Sequence, residues 1–199
     1  MLNKLFFTDS AVQFGDMTVS NPDANFVSAS HKKRFEESVG ISYHFVESEK
    51  SSLKLALRSA EKLLDGNPFY RESVGSVIVM SQSMETLIPS NSVIIQGMLG
   101  LSSECYCLDL NQGCSGFNYV YTFALERASK SGKLVLVINS DTYQAKLCKE
   151  DNTSLLFSDA AVAYLVGPKQ SDEIKILSEY YWNDGSRYEA MYYTKDLWL

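Results

Sequence analysis

The apolar positions of this chain follow two patterns that alternate along its middle. Val74 to Ser81 (V-G-S-V-I-V-M-S), Tyr106 to Leu110 and Lys133 to Ser140 (K-L-V-L-V-I-N-S) are continuous apolar runs. Runs of this length without polar alternation predict strands covered on both faces, as in a parallel sheet. Between them the period changes. Leu53, Ala56, Leu57, Ala60, Leu63 and Leu64 recur at three- and four-residue spacing, as do Phe117, Val120, Tyr121, Ala124, Leu125 and Ala128. Each set predicts one buried helix face.

Punctuation sets the remaining boundaries. Ser51 and Ser52 are N-cap types opening a helix that runs to Leu64, and Gly66-Asn67-Pro68 closes it. Ile88-Pro89-Ser90 precedes a helix over Asn91 to Leu99, closed by Gly100, and Ser131-Gly132 stops the helix that begins at Ser115. Towards the N-terminus the pattern predicts a strand over Leu2–Thr8, a loop over Asp9–Asn25 and a helix over Val27–Val39. A turn and short strand follow over Gly40–Val46. Towards the C-terminus it predicts loop or short helix over Asp141–Asp151, a bend at Leu155–Phe157, and strands over Ala160–Val166 and Ile174–Tyr181. This β-α-β-α-β order predicts a layered α/β fold on a mostly parallel mixed sheet of about five strands, with helices on its faces. No internal repeat or linker divides residues 1–199, so one unit is expected.

Composition narrows the function classes. Hydrophobic residues make up 45% of the chain, enough for a real core, and the formal net charge is -6. That charge argues against nucleic acid or an anionic membrane as the main partner. No run of eighteen apolar residues exists, so no membrane span is expected, and the N-terminus lacks a secretion-signal pattern. A cytoplasmic protein is the expectation, with Cys105, Cys107, Cys114 and Cys148 as free thiols. Cys105 and Cys107 would share one face of a strand. His31 and His44 lie far from them in sequence and no second cysteine pair follows, so no metal and no cofactor are expected. The basic run His31-Lys32-Lys33-Arg34 reads as a solvated helix face.

Cys114 is the residue whose setting suggests chemistry. It follows an apolar strand and the polar turn Asn111-Gln112-Gly113, and it stands at or next to the start of a helix. The first amide N–H groups of a helix lack intrahelical partners and carry partial positive charge. That field favours a thiolate, the nucleophilic form of cysteine. Ser115 and Gly116 are small and leave an approach to the sulfur. An inert buried cysteine is the alternative. A cysteine hydrolase would need a histidine close by, and only His31 and His44 are available.

Four segments in register resemble the ketoacyl-acyl-carrier-protein synthase III branch of the thiolase-like superfamily. They are G-C-S-G-F around Cys114, I-P-S-N-S-V-I-I-Q-G-M-L-G-L from Ile88, S-L-L-F-S-D-A-A-V-A-Y-L-V from Ser154, and Tyr180-Tyr181-Trp182-Asn183-Asp184-Gly185-Ser186. The resemblance runs over nearly the whole chain and implies the N-terminal half of a thiolase-like fold. It implies acylation of Cys114 by an acyl thioester, then attack by a malonyl-type nucleophile. Ile88 matches the position that sends an apolar side chain across the family dimer into the partner's acyl pocket. Phe157 matches an aromatic at the pocket floor. The family's catalytic His and Asn lie in its second half, to which no segment here corresponds, and His31 and His44 match neither. A C-terminal half or a ketosynthase partner chain is therefore expected. The family clamps the adenine of CoA between a Trp and an Arg; here those positions hold Arg34 and Asp151, and Ser38 replaces a basic neighbour. An aspartate near the phosphates is unfavourable, which favours acyl carrier protein or another acyl thioester as donor. Ser158, Ala160 and Val162 replace glycines of the family pattern, implying a less open backbone. The resemblance also suggests dimerisation through the Lys133–Ser140 region and the Ile88 segment. The second function expected is a non-catalytic structural or chain-length subunit paired with an active ketosynthase.

Overall fold

A computed structural model describes residues 5–21, 28–147, 152–168 and 178–191. The elements in chain order are β1 (Leu5–Phe14), β2 (Met17–Ser20), α1 (Ala29–Val39), β3 (Tyr43–Val46), α2 (Ser52–Asp65) and α3 (Phe69–Ser73). They continue with β4 (Val74–Met80), α4 (Asn91–Met98), β5 (Tyr106–Leu110), α5 (Gly116–Ser131), β6 (Leu134–Asp141) and β7 (Ala160–Pro168). Five strands form one sheet in the order β1-β7-β6-β4-β5, and β2 pairs with β3 in a separate two-stranded sheet. β4, β5 and β6 run parallel, whereas β7 is antiparallel to both β6 and β1. This is the mixed α/β sheet that the apolar runs predict.

Alternation along β4 explains the layers. Val77 and Val79 join Ala56, Ala60 and Leu64 of α2 and Ile95 of α4 in one core. Ile78 and Met80 point to the other face and join Val120, Ala124 and Ala128 of α5. Every residue of β4 is buried, as a central strand covered on both faces requires. Ser51 caps α2, its side chain accepting from the Lys54 amide at 3.1 Å. α5 ends at Gly132, whose φ of 68° is a left-handed conformation suited to glycine.

The termini depart from the expectation. The first strand continues through Phe14, and Met17–Ser20 forms β2, where the polarity of Asp9–Asn25 predicts a loop. Among the described residues β1 is bonded only to β7, and as an edge strand it tolerates Asp9, Ser10 and Gln13. Its pairing slips between Phe7 and Asp9. Near the other end, residues 178–181 form no strand; Ile174 to 177 of that prediction lie outside the described residues, as does Cys148. The segment instead lies on α5: Thr122 donates to Glu179 at 3.0 Å, and the Tyr119 and Tyr181 rings are 5.2 Å apart. β6 is paired on both sides, to β4 and β7, and has no free edge to offer a second copy.

No described helix is long and apolar enough to cross a membrane. Among the described residues no group of three or more His, Cys, Asp and Glu could hold a metal ion. Cys105 and Cys107 do share a face, both packing against the α2–α4 core, and they are free thiols. Burial pushes both thiols up from their ordinary pKa.

Candidate functional site

Three parallel strands, β4, β5 and β6, end at the same edge of the sheet. Ligand sites in α/β folds gather at the carboxyl ends of such strands. After β5 the chain turns through 111–113 to Cys114, which is exposed, and α5 begins two residues later. The Gly116 amide donates to the Gly113 carbonyl at 2.7 Å and holds this turn tight. Gly116 is also needed for packing. A Cβ there would stand 2.1 Å from the Met80 sulfur, so any larger residue would force the Met80 side chain to move. The sequence thus places Cys114 at the hand-over from strand to helix, as its pattern predicts.

The residues after β4 and β6 complete this edge. Asp141, at the end of β6, accepts from the Gln82 amide at 2.8 Å, the Ser83 hydroxyl at 2.8 Å and the Ser81 hydroxyl at 3.1 Å. One carboxylate oxygen thereby ties the β6 end to the β4 end. The Gln82 side chain lies 3.6 Å from where a Cβ on Gly113 would stand. Its Oε1 accepts from the Tyr143 hydroxyl. The Tyr143 ring in turn packs on Phe157, centroids 5.3 Å apart. Tyr143 is pushed up to about 12, first by burial, then by the charges of Asp141 and Cys114, so its hydroxyl stays a donor at neutral pH. Burial raises Asp141 as well, against the lowering effect of its hydrogen bonds.

A raised carboxylate has a defined effect on stability. As pH climbs above the ordinary carboxylate value of about 4, unfolded Asp141 loses its proton before the folded group does, so stability falls until the folded group has ionised as well. Asp141→Asn is expected to remove this part of the fall. Denaturant midpoints of both proteins at pH values from 4 upward (approximate range) check it; parallel midpoints at every pH would refute it.

Asp159 supports the same region from below. It is fully buried; Oδ1 accepts from the Gln144 amide and Oδ2 from the Glu47 amide, each at 2.9 Å. Gln144 adds side-chain bonds to the carbonyls of Ser154 and Phe157 at 2.7 and 2.6 Å. Tyr143 and Phe157 are therefore held by one network. Ser158, Ala160 and Val162 flank this aspartate, and from Ala160 onward the backbone pairs with β6 on one side and β1 on the other.

The candidate residues do not all converge. Phe157 is 40% exposed and joins Cys114 through Tyr143 and Gln82. Ile88 is 91% exposed on the loop before α4. That loop is nevertheless tied to the strand leading into Cys114. Asp109 of β5 accepts from the Asn91 amide at 2.6 Å and the Ser92 amide at 2.8 Å, capping α4 directly after Ile88-Pro89-Ser90. His44 is buried in β3, its Nδ1 2.8 Å from Asn21 Oδ1, and burial lowers its pKa. The side chains of His31 and Asp151 lie outside the described residues, and Arg34 is exposed on α1. A cavity of about 620 Å³ opens between the β2–β3 sheet and the residues Gln144, Ala145, Leu147, Ser154 and Leu155, but Cys114 does not line it.

Sequence reasoning passes over Gln82, Asp109, Asp141 and Tyr143. The available signal is positional: each lies in or just after a predicted parallel strand, at or near the end where sites assemble.

Comparison with known proteins fits this geometry. Residues 108–185, from the strand before Cys114 onward, match the family model of 3-oxoacyl-[acyl-carrier-protein] synthase III. The chain is ketoacyl synthase III-like, on a thiolase-like fold. It is 28% identical over 174 residues to the β-ketoacyl-[acyl-carrier-protein] synthase III of Clostridium novyi, covering 86% of this chain and 52% of that protein. It is 30% identical over 175 residues to the synthase III of Acholeplasma laidlawii, covering 86% and 55%. The crystal structure of a 3-oxoacyl-(acyl-carrier protein) synthase from Burkholderia xenovorans superposes with a TM-score of 0.75 at 23% identity, covering 86% of this chain and 52% of that one, a likeness of fold. The chain spans about half the length of the curated relatives it matches.

Proposed function

We propose that this synthase III-like chain is the nucleophile-bearing half of an acyltransferase. The observation that carries the reading is Cys114, exposed at the start of α5 and inside the family-matched segment. In this reading the Cys114 sulfur attacks the carbonyl carbon of an acyl thioester. A new C–S bond forms, the old one breaks, and the departing thiol takes the proton that Cys114 gave up. The Cys114 amide contributes to the oxyanion site. Phe157 forms part of the acyl pocket. Ile88, held out on a loop that Asp109 anchors, reaches the acyl pocket of a second copy.

The carbon–carbon condensation needs groups that polarise the second thioester and move protons. The resemblance assigns these to a His and an Asn for which residues 1–199 offer no counterpart. A second half, in a longer protein or a partner chain, supplies them. Acyl carrier protein, which the relatives' names specify, is the donor favoured by Arg34 and Asp151 at the adenine-clamp positions. Reconstitution tests this reading. The chain mixed with a polypeptide carrying the missing half is expected to form a condensed ketoacyl product from acyl and malonyl thioesters. A well-formed complex that makes none would sink it.

A second reading is a non-catalytic subunit that pairs with an active ketosynthase. Cys114→Ala separates the two: the complex loses activity under the first reading and keeps it under the second.

A further inference from the structure

Two polar side chains that the condensation chemistry leaves unused stand beside the turn carrying Cys114. Gln82 is clamped through its backbone: its amide donates to Asp141 at 2.8 Å, and its carbonyl accepts from the Lys146 ammonium at 2.9 Å. Its side-chain amide reaches to 3.6 Å from the Cβ position of Gly113, the residue before Cys114. Tyr143 donates its hydroxyl to Gln82 Oε1. The Phe157 ring, 5.3 Å away, packs against the Tyr143 ring. With Oε1 engaged, Gln82 Nε2 remains a donor and the Tyr143 oxygen remains an acceptor. The pair beside the Cys114 turn therefore offers an amide, on the exposed Gln82, and a hydroxyl, on the half-buried Tyr143.

We propose that Gln82 and Tyr143 make this site selective for acyl groups that bear a hydroxyl oxygen close to the thioester. The inference rests on the acyl-carrying role proposed for Cys114. A plain alkyl chain laid against this pair would strip water from the amide and the hydroxyl and return no hydrogen bond. A hydroxyacyl group accepts from Gln82 Nε2 and donates to the Tyr143 oxygen, so both groups are satisfied. Sites built around a substrate hydroxyl discriminate strongly against the analogue that lacks it. Tyr143 keeps its proton throughout the neutral range, so the pair holds one donor–acceptor arrangement.

The test compares two acyl groups of equal length. The chain is incubated with the N-acetylcysteamine thioester of butyrate or of 3-hydroxybutyrate, and loading of Cys114 is followed by intact mass. The same is done with Tyr143→Phe and Gln82→Leu. Iodoacetamide alkylation reports that the Cys114 thiol is reachable in each protein. The hydroxyacyl donor is expected to load about tenfold faster on the unaltered chain, a ratio that falls towards one in both variants. Equal loading of the two donors by the unaltered chain overturns the inference alone, as does a ratio that both variants preserve. If neither thioester loads a Cys114 that iodoacetamide alkylates, the acyl-carrying reading fails and the inference falls with it.

Discussion

Cys114→Ala is expected to abolish the mass gain that an acyl thioester produces on this chain. The expectation depends on the other thiols as much as on Cys114. Cys105 and Cys107 are half-buried against the α2–α4 core. Burial is the main cause raising the Cys105 thiol. Burial comes first for Cys107 too, with the charges of Cys105 and Asp109 adding to it. The Cys105 sulfur is also turned to the Val74 carbonyl, 3.3 Å away. Both keep a small thiolate fraction at neutral pH, and the thiolate is the attacking species. Cys114 combines exposure with the N-terminus of α5. Among the described thiols, the acyl group is therefore predicted on the peptide carrying Cys114. An unchanged mass gain in Cys114→Ala would place the reactive thiol elsewhere and remove the basis of the proposed function.

The largest stability effect is expected from Arg58→Ala. The Glu47 side chain is fully buried, and its Oε2 lies 2.5 Å from an Arg58 guanidinium nitrogen. Truncating the arginine leaves a buried carboxylate without its counter-charge, which costs about 3–5 kcal/mol for pairs of this kind. Arg58 is 37% exposed, so water reaches its side of the pair and the lower end of that range applies. Replacing both partners with methionine removes the charge along with its counter-charge and is expected to recover most of the loss. Urea midpoints of the single and double variants measure both quantities. A loss below about 1 kcal/mol in Arg58→Ala would mean that the pair behaves like a surface salt bridge. The pair matters to the site because the Glu47 amide holds Asp159, and Asp159 holds Gln144 beside Tyr143.

The central strands were legible because burial on both faces erases polar alternation, leaving runs such as Val74–Ser81 that few other structures produce. The edges were not. β1 carries Thr8, Asp9, Ser10 and Gln13 at the edge of the described sheet, and so its second half reads as loop. Position within a sheet is equally hidden. The apolar run of Lys133–Ser140 marks a buried strand, but only the assembled sheet shows that it lies between β4 and β7. Cys114 was legible from local spacing, because a strand, a small-residue turn and a helix follow one another in sequence. Gln82 and Tyr143 were not, since polar residues after strands look like ordinary loop. They become neighbours because β4 and β6 run parallel and end together, a property of the assembled sheet. Phe157 joins them through a ring contact that spans the turn between β6 and β7.

The measurement that bears most directly on the central claim is native mass spectrometry of the protein isolated gently from its own host, with peptide mapping of Cys114 and identification of every co-purifying polypeptide. The account predicts a complex containing the second half of a ketosynthase, with Cys114 able to carry an acyl group. A homo-oligomer of these 199 residues alone, whose Cys114 stays unmodified after exposure to acyl thioesters, would contradict it.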